Sequence, residues 1–347
     1  MKVTRYEGNP VITPADVKPS REDFNVVCTF NAGITQFGDE TLMLIRTAEQ
    51  PQQEKGWMAY PIFNADTGET DVKRIARDDP DLDLTDPRVS HYKNEAYLTS
   101  ISHLRLARSA DGLHFTADDL PAIRPQMYYE AFGVEDPRIT LIDGKYYIDY
   151  VGVSPHGVTT CLTATEDFVS FERMGVMFCP ANRDVVIFPE KIKGKYAAYH
   201  RPAPRDFGLL AIWLAYSPDL IHWGGHCSVA GPRPDMWDSF RVGGGAPPLK
   251  TDRGWLSIYH AATFDDWYFL GALLTDLDEP GKIIARSEKP LMGPEADYEM
   301  HGFYGHVVFT CGTTLDGDRL RIYYGAADTV MAAAELSLGE LLDNLAG

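Results

Sequence analysis

Short runs of alternating apolar and polar residues, separated by turns, recur along the whole chain. Six turns rich in Gly, Asp, Asn and Lys each precede a run of β-branched and aromatic residues. The pattern is clearest at Asp143-Gly144, where glycine supplies the positive φ of a hairpin turn before Tyr146–Tyr150. The turns fall at positions 38, 94, 144, 194, 254 and 317, so they are 50 to 63 residues apart. A repeat of this length is typical of one blade of a β-propeller.

A second motif recurs in Ser109–Phe115, Thr165–Phe171 and Ser217–Trp223, each with a hydroxyl residue, an Asp and a later aromatic residue. It predicts an Asx-type turn with the aromatic ring buried between sheets. Ala332–Leu345 has partial 3.6-residue periodicity, which predicts a helix. We therefore predict an all-β fold, a single five-bladed β-propeller over residues 1–347 with a short C-terminal helix. A pair of β-sandwiches is the alternative, but it does not explain the repeat.

The composition supports a large core and an acidic surface. Hydrophobic residues make up 44% of the 347 residues, and 50 acidic against 32 basic residues give a net charge of −18. This charge argues against nucleic acid or an anionic membrane as the main partner. Any bound anion must therefore be held by a local basic cluster.

Targeting and cysteine signals indicate an intracellular protein. Residues 1–10 lack the apolar run of a signal peptide, and no apolar stretch is long enough to span a bilayer. The five cysteines are widely spaced and include no Cys-x-x-Cys pair, which favours reduced thiols over disulfides or zinc. We predict a cytoplasmic protein with no metal and no cofactor.

The segment Glu135-Asp136-Pro137-Arg138 carries the strongest chemical signal. We predict a proline-stiffened turn just before a strand, which is a common position for site residues. The alternative is a surface corner where the acids merely pair with Arg138. Asp86-Pro87-Arg88 repeats the last three residue types and competes for the same role.

Other polar residues occupy similar places beside the strand repeats. The loops at one end of a propeller surround a central cavity, so these residues are expected to converge there. Gly243-Gly244-Gly245 allows close approach to a ligand but lacks the Lys-Ser/Thr ending of a nucleotide P-loop, so ATP is not implied. The polar residues collected in this way are Asn31, Arg46, Asp136, Arg183, His200, Arg201, Tyr259 and His260.

Together these segments resemble glycoside hydrolase family 130, the β-mannoside phosphorylases and related β-mannosidases. The resemblance runs from Gly8 to Asp328, and its elements occur in the family's order: Glu-Asp-Pro-Arg at 135–138, Phe-Pro-Glu-Lys at 188–191, His-Arg-Pro at 200–202, Gly-Gly-Gly-Ala-Pro-Pro at 243–248 and Tyr-Tyr-Gly-Ala-Ala-Asp at 323–328. It implies a five-bladed propeller with the site on its axis.

The resemblance also implies roles for individual residues. Asp136 would be the proton donor, passing its proton through the 3-hydroxyl of the bound mannose to the glycosidic oxygen. Arg183, Arg201, Arg241 and His260 would hold phosphate, although many relatives are expected to carry Lys at position 241. The residues expected to bind the mannoside are Asn31, Arg46, Arg88, His200, Tyr259, Glu299 and Asp328.

We therefore predict an inverting β-mannoside phosphorylase, whose partners are a β-mannoside oligosaccharide and phosphate. An inverting hydrolase needs a second carboxylate to activate water, whereas a basic cluster suits phosphate. Residues 17–20 and 301–309 favour members that act on β-1,2 linkages. An inverting β-1,2-mannosidase and a non-catalytic sugar-binding propeller are the alternatives, and the sequence leaves open whether the protein forms a homo-oligomer.

Overall fold

The computed structural model describes residues 2–204 and 206–346, and most of this part of the chain is β structure. The helices in it are too short to reach across a membrane. They are two 3₁₀ turns (Pro14–Asp16 and Tyr128–Glu130), α1 (Asp297–Met300) and α2 (Leu338–Ala346). The strands are β1 (Thr4–Arg5), β2 (Phe24–Phe37), β3 (Glu40–Pro51), β4 (Trp57–Asn64), β5 (Glu69–Ala76), β6 (Leu82–Asp83), β7 (Val89–Tyr92), β8 (Glu95–Leu98), β9 (Ile101–Ser109), β10 (Thr116–Ala117), β11 (Gly133–Ile142), β12 (Lys145–Ser154), β13 (Gly157–Thr165), β14 (Glu172–Phe178), β15 (Asn182–Ile187), β16 (Tyr196–Pro202), β17 (Ile212–Ser217), β18 (Gly224–Ala230), β19 (Arg241–Gly244), β20 (Leu249–Thr251), β21 (Gly254–Ala262), β22 (Tyr268–Thr275), β23 (Ile283–Arg286), β24 (Val308–Asp316), β25 (Arg319–Ala326) and β26 (Val330–Ser337).

Most sheets are built from strands that are close in sequence. Strands β15 to β18 form one four-stranded sheet, and β19, β21, β22 and β23 form another, to which β20 adds. Strands β24 to β26 form a third, which the N-terminal β1 completes. The largest sheet has eight strands, because an antiparallel group of β2, β3, β9 and β10 joins a second group, β11 to β14, through one parallel pair, Gly133 with Ser102.

Two small sheets interrupt this regular pattern. The hairpin of β4 and β5 and the three-stranded sheet of β6 to β8 both lie in the segment between β3 and β9. The all-β prediction is therefore confirmed. The pairing of strands alone does not give five blades, since it yields six sheets, and no sheet closes on itself within residues 2–204 and 206–346.

All six predicted turns connect antiparallel strand segments. The turn residues have positive φ, from 59° at Gly317 to 143° at Gly254. However, the turn at Asn94 joins β7 to β8 in one of the small inserted sheets. The even spacing of the turns therefore has two sources: the repeat of the larger sheets, and an inserted segment that places the turn at Asn94 at a similar interval.

The hydroxyl-Asp motif also folds as predicted. In each copy an Asp carboxylate accepts backbone N–H groups two and three residues later, as from Leu113 and His114 to Asp111 Oδ1 at 2.9 Å. The other two copies repeat these bonds at Asp167 and Asp219. The turns follow β9, β13 and β17, and their aromatic rings are half-buried, so the prediction of full burial was too strong.

The predicted C-terminal helix is shorter than its periodicity indicated. Residues 332–337 continue strand β26, and the helix begins only at Leu338. The three alanines from Ala332 to Ala334 lie fully buried in a strand paired on both sides, where small residues fit between neighbouring sheets. Tertiary packing thus overrides the helix propensity of alanine.

Three strands bulge where polar residues were predicted to converge. The register shifts between Phe30 and Gly33 in β2, and the bulge contains Asn31 with a φ of 48°. Similar shifts in β11 and β15 contain Asp136 (47°) and Asp184 (56°). The Glu-Asp-Pro-Arg segment is therefore a bulge inside β11, and the prediction of a turn before the strand was wrong. A bulge re-aims a side chain without ending the sheet.

Candidate active site

A cavity of about 500 Å³ collects residues from all the larger sheets. Five arginines and four carboxylates line it, so the cavity is locally basic in a chain of net charge −18. Its polar lining residues are Asn31, Arg46, Arg88, Glu135, Asp136, Ser154, Arg183, Asp184, Arg201, Arg241, His260, Tyr268, Tyr304 and Asp328.

Arg46 holds the two acids of the bulge in β11. Its Nη2 lies 2.8 Å from Glu135 Oε1 and its Nη1 lies 3.0 Å from Asp136 Oδ1. Its Nε donates to Ser102 Oγ at 3.1 Å. The acids therefore pair with Arg46. The surface-corner alternative required them to pair with Arg138, which they do not.

Asp136 presents one oxygen to the cavity. Its Oδ1 accepts hydrogen bonds from Arg46 Nη1 and from Asn31 Nδ2, each at 3.0 Å. Its Oδ2 has no hydrogen-bond partner within the described residues, and the side chain is 11% exposed. Because both donors occupy Oδ1, Oδ2 is the oxygen that can carry a proton to a ligand.

Two neighbouring carboxyl groups are easier to protonate than usual. Burial raises the pKa of Glu135, although Arg46 opposes the shift. Burial also raises the pKa of Asp328 to about 7, again against Arg46 and with a further contribution from Asp136. Near neutral pH this end of the cavity is therefore less negative than its three carboxyl groups suggest.

The other end of the cavity is basic. Arg183 on β15 lies directly opposite Arg201 on β16. Arg201 Nε donates to Asp184 Oδ2 at 2.5 Å, whereas Arg183 has no hydrogen bond or ion pair among the residues that the structure describes. Burial lowers the pKa of Arg201; Asp184 opposes this shift and Arg183 adds to it. Two neighbouring arginines, of which only Arg201 is paired with a carboxylate, favour the binding of an anion.

Asp184 is the carboxylate within this basic end. Burial alone would raise its pKa, but Arg201, His260 and Arg138 hold it well below the ordinary value. Its Oδ2 lies 3.4 Å from His260 Nε2, and its Oδ1 lies 3.6 Å from Arg138 Nη2. With cations beside both oxygens, Asp184 is a poor base for activating water.

Arg241 lines the cavity but already has protein partners. Its Nη1 donates to the Tyr268 hydroxyl at 2.8 Å, and its Nη2 donates to Asp266 Oδ1 at 2.9 Å. Because the Tyr268 oxygen accepts this bond, its own proton remains available to a ligand. Burial raises the pKa of Tyr268, so the hydroxyl stays protonated.

His260 is held between two acceptors. Its Nδ1 lies 3.2 Å from the Gly244 carbonyl oxygen, to which it can donate, and its Nε2 faces Asp184. Burial lowers the pKa of His260, while Asp184 opposes the shift. The cavity therefore contains all four predicted phosphate residues, but they differ in how freely they can contact a ligand.

The residues predicted to bind the mannoside divide into two groups. Asn31, Arg46, Arg88 and Asp328 line the cavity, whereas His200, Tyr259 and Glu299 do not. Adjacent residues on a strand face opposite sides, so His200 and Tyr259 point away where Arg201 and His260 point in. His200 stacks on Phe178 and contacts Asn182, Tyr259 donates to Asp238, and Glu299 accepts from Arg5 and Tyr324. These three have structural partners and no place in the cavity.

The competing acid Asp86 also lies outside the cavity. Its carboxylate accepts two hydrogen bonds from Arg88, at 2.8 and 3.0 Å. The hydrogen bond from Arg88 lowers the pKa of Asp86. Of the two Asp-Pro-Arg segments, the one at Asp136 thus supplies its acid to the cavity, and the other supplies its arginine.

Comparison with known proteins identifies the family. The model of glycoside hydrolase family 130, described as beta-1,4-mannooligosaccharide phosphorylase, matches residues 81–346. The chain belongs to glycoside hydrolase family 130. The resemblance found in the sequence motifs is thereby confirmed.

Two family 130 relatives and one solved structure are particularly similar. A beta-1,2-mannobiose phosphorylase from Listeria innocua is 45% identical over 99% of both chains. A 1,2-beta-oligomannan phosphorylase from Thermoanaerobacter sp. is 42% identical over 70% of this chain and 80% of the relative. The structure of the Listeria innocua beta-1,2-mannobiose phosphorylase in complex with beta-1,2-mannobiose matches with a TM-score of 0.96 over 99% of both chains.

Sequence reasoning missed several residues of this family 130 cavity. Asp184 follows Arg183 directly in the sequence, yet the motifs assign it no role. Tyr268 and Tyr304 also line the cavity and belong to none of the predicted sets. The signal for Asp184 was its position in the same kind of strand bulge as Asp136, which only the register reveals.

The raised pKa of Asp328 predicts a pH-dependent loss of stability. The folded protein keeps a proton on this group up to about pH 7, whereas the unfolded chain releases it near 3.8. Protonated Asp328 therefore contributes to the free energy of unfolding at low pH, and this contribution is lost as the pH rises through about 7. Between pH 4 and 8, the free energy of unfolding of the natural protein should fall by a few kcal/mol relative to that of an Asp328→Asn variant. This magnitude follows from about 1.4 kcal/mol for each unit of difference between the folded and unfolded pKa.

Chemical denaturation at a series of pH values measures this difference. An exposed Asp265→Asn variant is the control and should follow the natural protein. Parallel curves for the natural protein and Asp328→Asn would contradict the assignment.

Proposed function

We propose that the protein is an inverting β-mannoside phosphorylase that cleaves β-1,2-mannobiose or short β-1,2-linked oligomannan. Inorganic phosphate would attack the terminal mannose to give α-mannose 1-phosphate and a shortened acceptor. The family and the names of its relatives support this activity. The observation that carries it is one cavity with an acid donor at one end and a partly uncompensated pair of arginines at the other.

Asp136 is the proton donor in this proposal. Its Oδ1 is fixed by Arg46 and Asn31, so the proton would leave from Oδ2. Following the family resemblance, it would pass through the 3-hydroxyl of the mannose to the glycosidic oxygen. Arg46, Asn31, Arg88 and Asp328 would bind the mannoside.

Phosphate, rather than water, is the proposed nucleophile. Phosphate is already an anion, so it needs cations for positioning and no general base. Arg183 and Arg201 would contact it directly, while Arg241 would add charge, Tyr268 a hydroxyl donor and His260 a polar contact. Asp184 does not favour the hydrolase alternative, because its low pKa makes it a weak base for a water molecule.

We infer that the larger sheets form a single five-bladed β-propeller spanning residues 1–347. Five strands, β2, β11, β15, β19 and β24, would be the innermost strands around the cavity. Close contacts between successive members support this ring, and at four of the five a glycine Cβ would come within 3.0 Å of the neighbouring strand. The contacts are Gly312 with Ile34, Gly33 with Pro137, Thr140 Oγ1 with the Ile187 carbonyl at 3.3 Å, Gly244 with Asp184, and Gly245 with Thr310.

The chemistry suggests where the enzyme works. Phosphorolysis conserves the energy of the glycosidic bond in a sugar phosphate, which is useful inside a cell. We therefore propose a cytoplasmic enzyme that uses phosphate as its co-substrate and no cofactor.

Product analysis with and without phosphate tests the function. Purified protein with β-1,2-mannobiose and phosphate should release mannose 1-phosphate and mannose in equal amounts. Without phosphate, turnover should fall to background. Free mannose formed at the same rate in both reactions would identify a hydrolase, and binding without turnover would identify a sugar-binding protein. Cleavage of a β-1,4-mannobiose but not the β-1,2 isomer would overturn the linkage.

An Asp136→Asn variant should lose activity and keep its fold. Asparagine can retain the contacts of Oδ1 but cannot release a proton, and general acid catalysis contributes roughly 10² to 10⁴-fold. The kcat should fall by about that factor, while binding of β-1,2-mannobiose measured by calorimetry persists. Asp265→Asn is the control, since Asp265 is exposed and does not line the cavity. Turnover of Asp136→Asn equal to that of the control would remove Asp136 from its role.

Arg183→Ala should weaken phosphate use specifically. Arg183 has no ion pair among the described residues, so its removal leaves no buried partner uncompensated, unlike removal of Arg201. A charged hydrogen bond contributes about 1.5 to 3 kcal/mol, which corresponds to roughly a 10 to 100-fold higher KM for phosphate. The KM for the mannoside should change little. Steady-state kinetics with each substrate varied in turn would show this, and an unchanged phosphate KM contradicts it.

A further inference from the structure

A chain of contacts crosses the rim of the cavity from its mannoside end to its phosphate end. Arg88 lies in the loop directly before β7 of the three-stranded inserted sheet, and its guanidinium is 3.8 Å from the ring centre of Tyr304. The Tyr304 hydroxyl donates to Asp266 Oδ2 at 2.9 Å, and Arg241 Nη2 donates to Asp266 Oδ1 at 2.9 Å. Arg241 continues to Tyr268. The rim chain, defined as Arg88, Tyr304, Asp266, Arg241 and Tyr268, thus joins residues proposed to contact different substrates.

Asp266 is the centre of the rim chain and the one member that does not line the cavity. Each of its carboxylate oxygens accepts one hydrogen bond, Oδ1 from Arg241 and Oδ2 from Tyr304. The backbone around it is fixed, because its N–H donates to the Thr263 carbonyl at 3.1 Å and Trp267 N–H donates to Thr263 Oγ1 at 3.3 Å. It is therefore placed to hold two cavity residues while touching no ligand itself.

The position of Arg241 depends on this carboxylate. Its two terminal nitrogens are held by Tyr268 and Asp266, and the ring of Phe240 lies 4.5 Å from its Cζ. Its Nε is buried and has no partner in the part of the chain that the structure describes. Without Asp266 one of the two fixed contacts is lost, and the flexible side chain has many other rotamers.

On the other side, Asp266 fixes Tyr304 and through it Arg88. The tyrosine ring is the surface against which the Arg88 guanidinium stacks, and both residues line the cavity. Within the described residues, the hydrogen bonds of the Arg88 guanidinium go to Asp86 in the same loop. The Asp266 carboxylate thus links Arg88, through Tyr304, to Arg241 at the phosphate end.

We propose that Asp266 is a positioning residue that sets Arg241 for phosphate and, through Tyr304, sets Arg88 for the mannoside. This inference rests on the proposed phosphorolysis. One carboxylate outside the cavity then aligns the binding groups of both substrates.

Kinetics of Asp266→Ala test the proposal, with Asp265→Ala as the matched control. Asp265 is the neighbouring acid, is exposed and does not line the cavity. Asp266→Ala should raise the KM for phosphate about 5 to 10-fold and the KM for β-1,2-mannobiose by a smaller factor, with a melting temperature close to that of the control. A phosphate KM that stays the same, or falls because a negative charge has been removed, would overturn the proposal.

A double-mutant cycle separates positioning from a general structural effect. If Asp266 acts on phosphate through Arg241, adding Asp266→Ala to Arg241→Ala should raise the phosphate KM no further. Additive effects would contradict the proposed route.

Should Asp266→Ala fail to fold, Tyr304→Phe provides the second test: it keeps the stacking surface for Arg88 but loses the hydrogen bond to Asp266. It should raise the mannoside KM and leave the phosphate KM unchanged, and equal effects on both would count against the proposal.

Phosphate dependence of the natural protein and the kinetics of Asp266→Ala test different properties of the enzyme. If the natural protein turns over mannosides without phosphate, the proposed function fails. If the natural protein depends on phosphate but Asp266→Ala behaves like Asp265→Ala, only the role of Asp266 fails.

Discussion

The site depends on the hydrogen bonds that the buried guanidinium of Arg138 makes. Arg138 is 0% exposed, and its nitrogens donate to the backbone carbonyls of Asp136 at 2.9 Å and of Gly244 and Gly245 at 3.2 Å. It also lies 3.6 Å from Asp184. A buried arginine without acceptors would cost several kcal/mol, so strands β11, β15 and β19 must keep these groups turned toward it. The acid end and the basic end of the cavity are therefore held in one fixed relation.

The bulges follow from the same constraint. At Asp136 the carbonyl must reach Arg138 while the carboxylate reaches Arg46 and Asn31. A regular strand cannot direct both groups in this way, whereas a residue with positive φ can. Asp and Asn tolerate this conformation better than most residues, which explains why the bulges contain Asn31, Asp136 and Asp184. The residue types needed for chemistry are thus also those that the backbone accepts there.

Sequence patterns predicted the local elements well because turns and alternation are local properties. The six turns and the three Asp motifs needed only glycine, asparagine and aspartate at short spacing. The patterns could not tell an inserted sheet from a repeat, nor the strand at Ala332–Ala334 from a helix, because both depend on which neighbours pack against the segment. Family motifs located Asp136 and the basic residues. Successive side chains of β16 point to opposite faces of the sheet, so Arg201 lines the cavity and its neighbour His200 does not. No sequence motif contains that information.

The distribution of ion pairs explains why a negative ligand would complete this cavity. Arg46 is paired with both Glu135 and Asp136, and Arg88 and Arg241 are paired with acids outside the cavity. Asp184 must serve Arg201, His260 and Arg138 together, which leaves the Arg183 and Arg201 pair short of negative charge. A water molecule would leave this shortage unchanged, whereas phosphate supplies both the charge and several acceptor oxygens. The way in which the fixed charges are already paired therefore favours an anion at this end of the cavity.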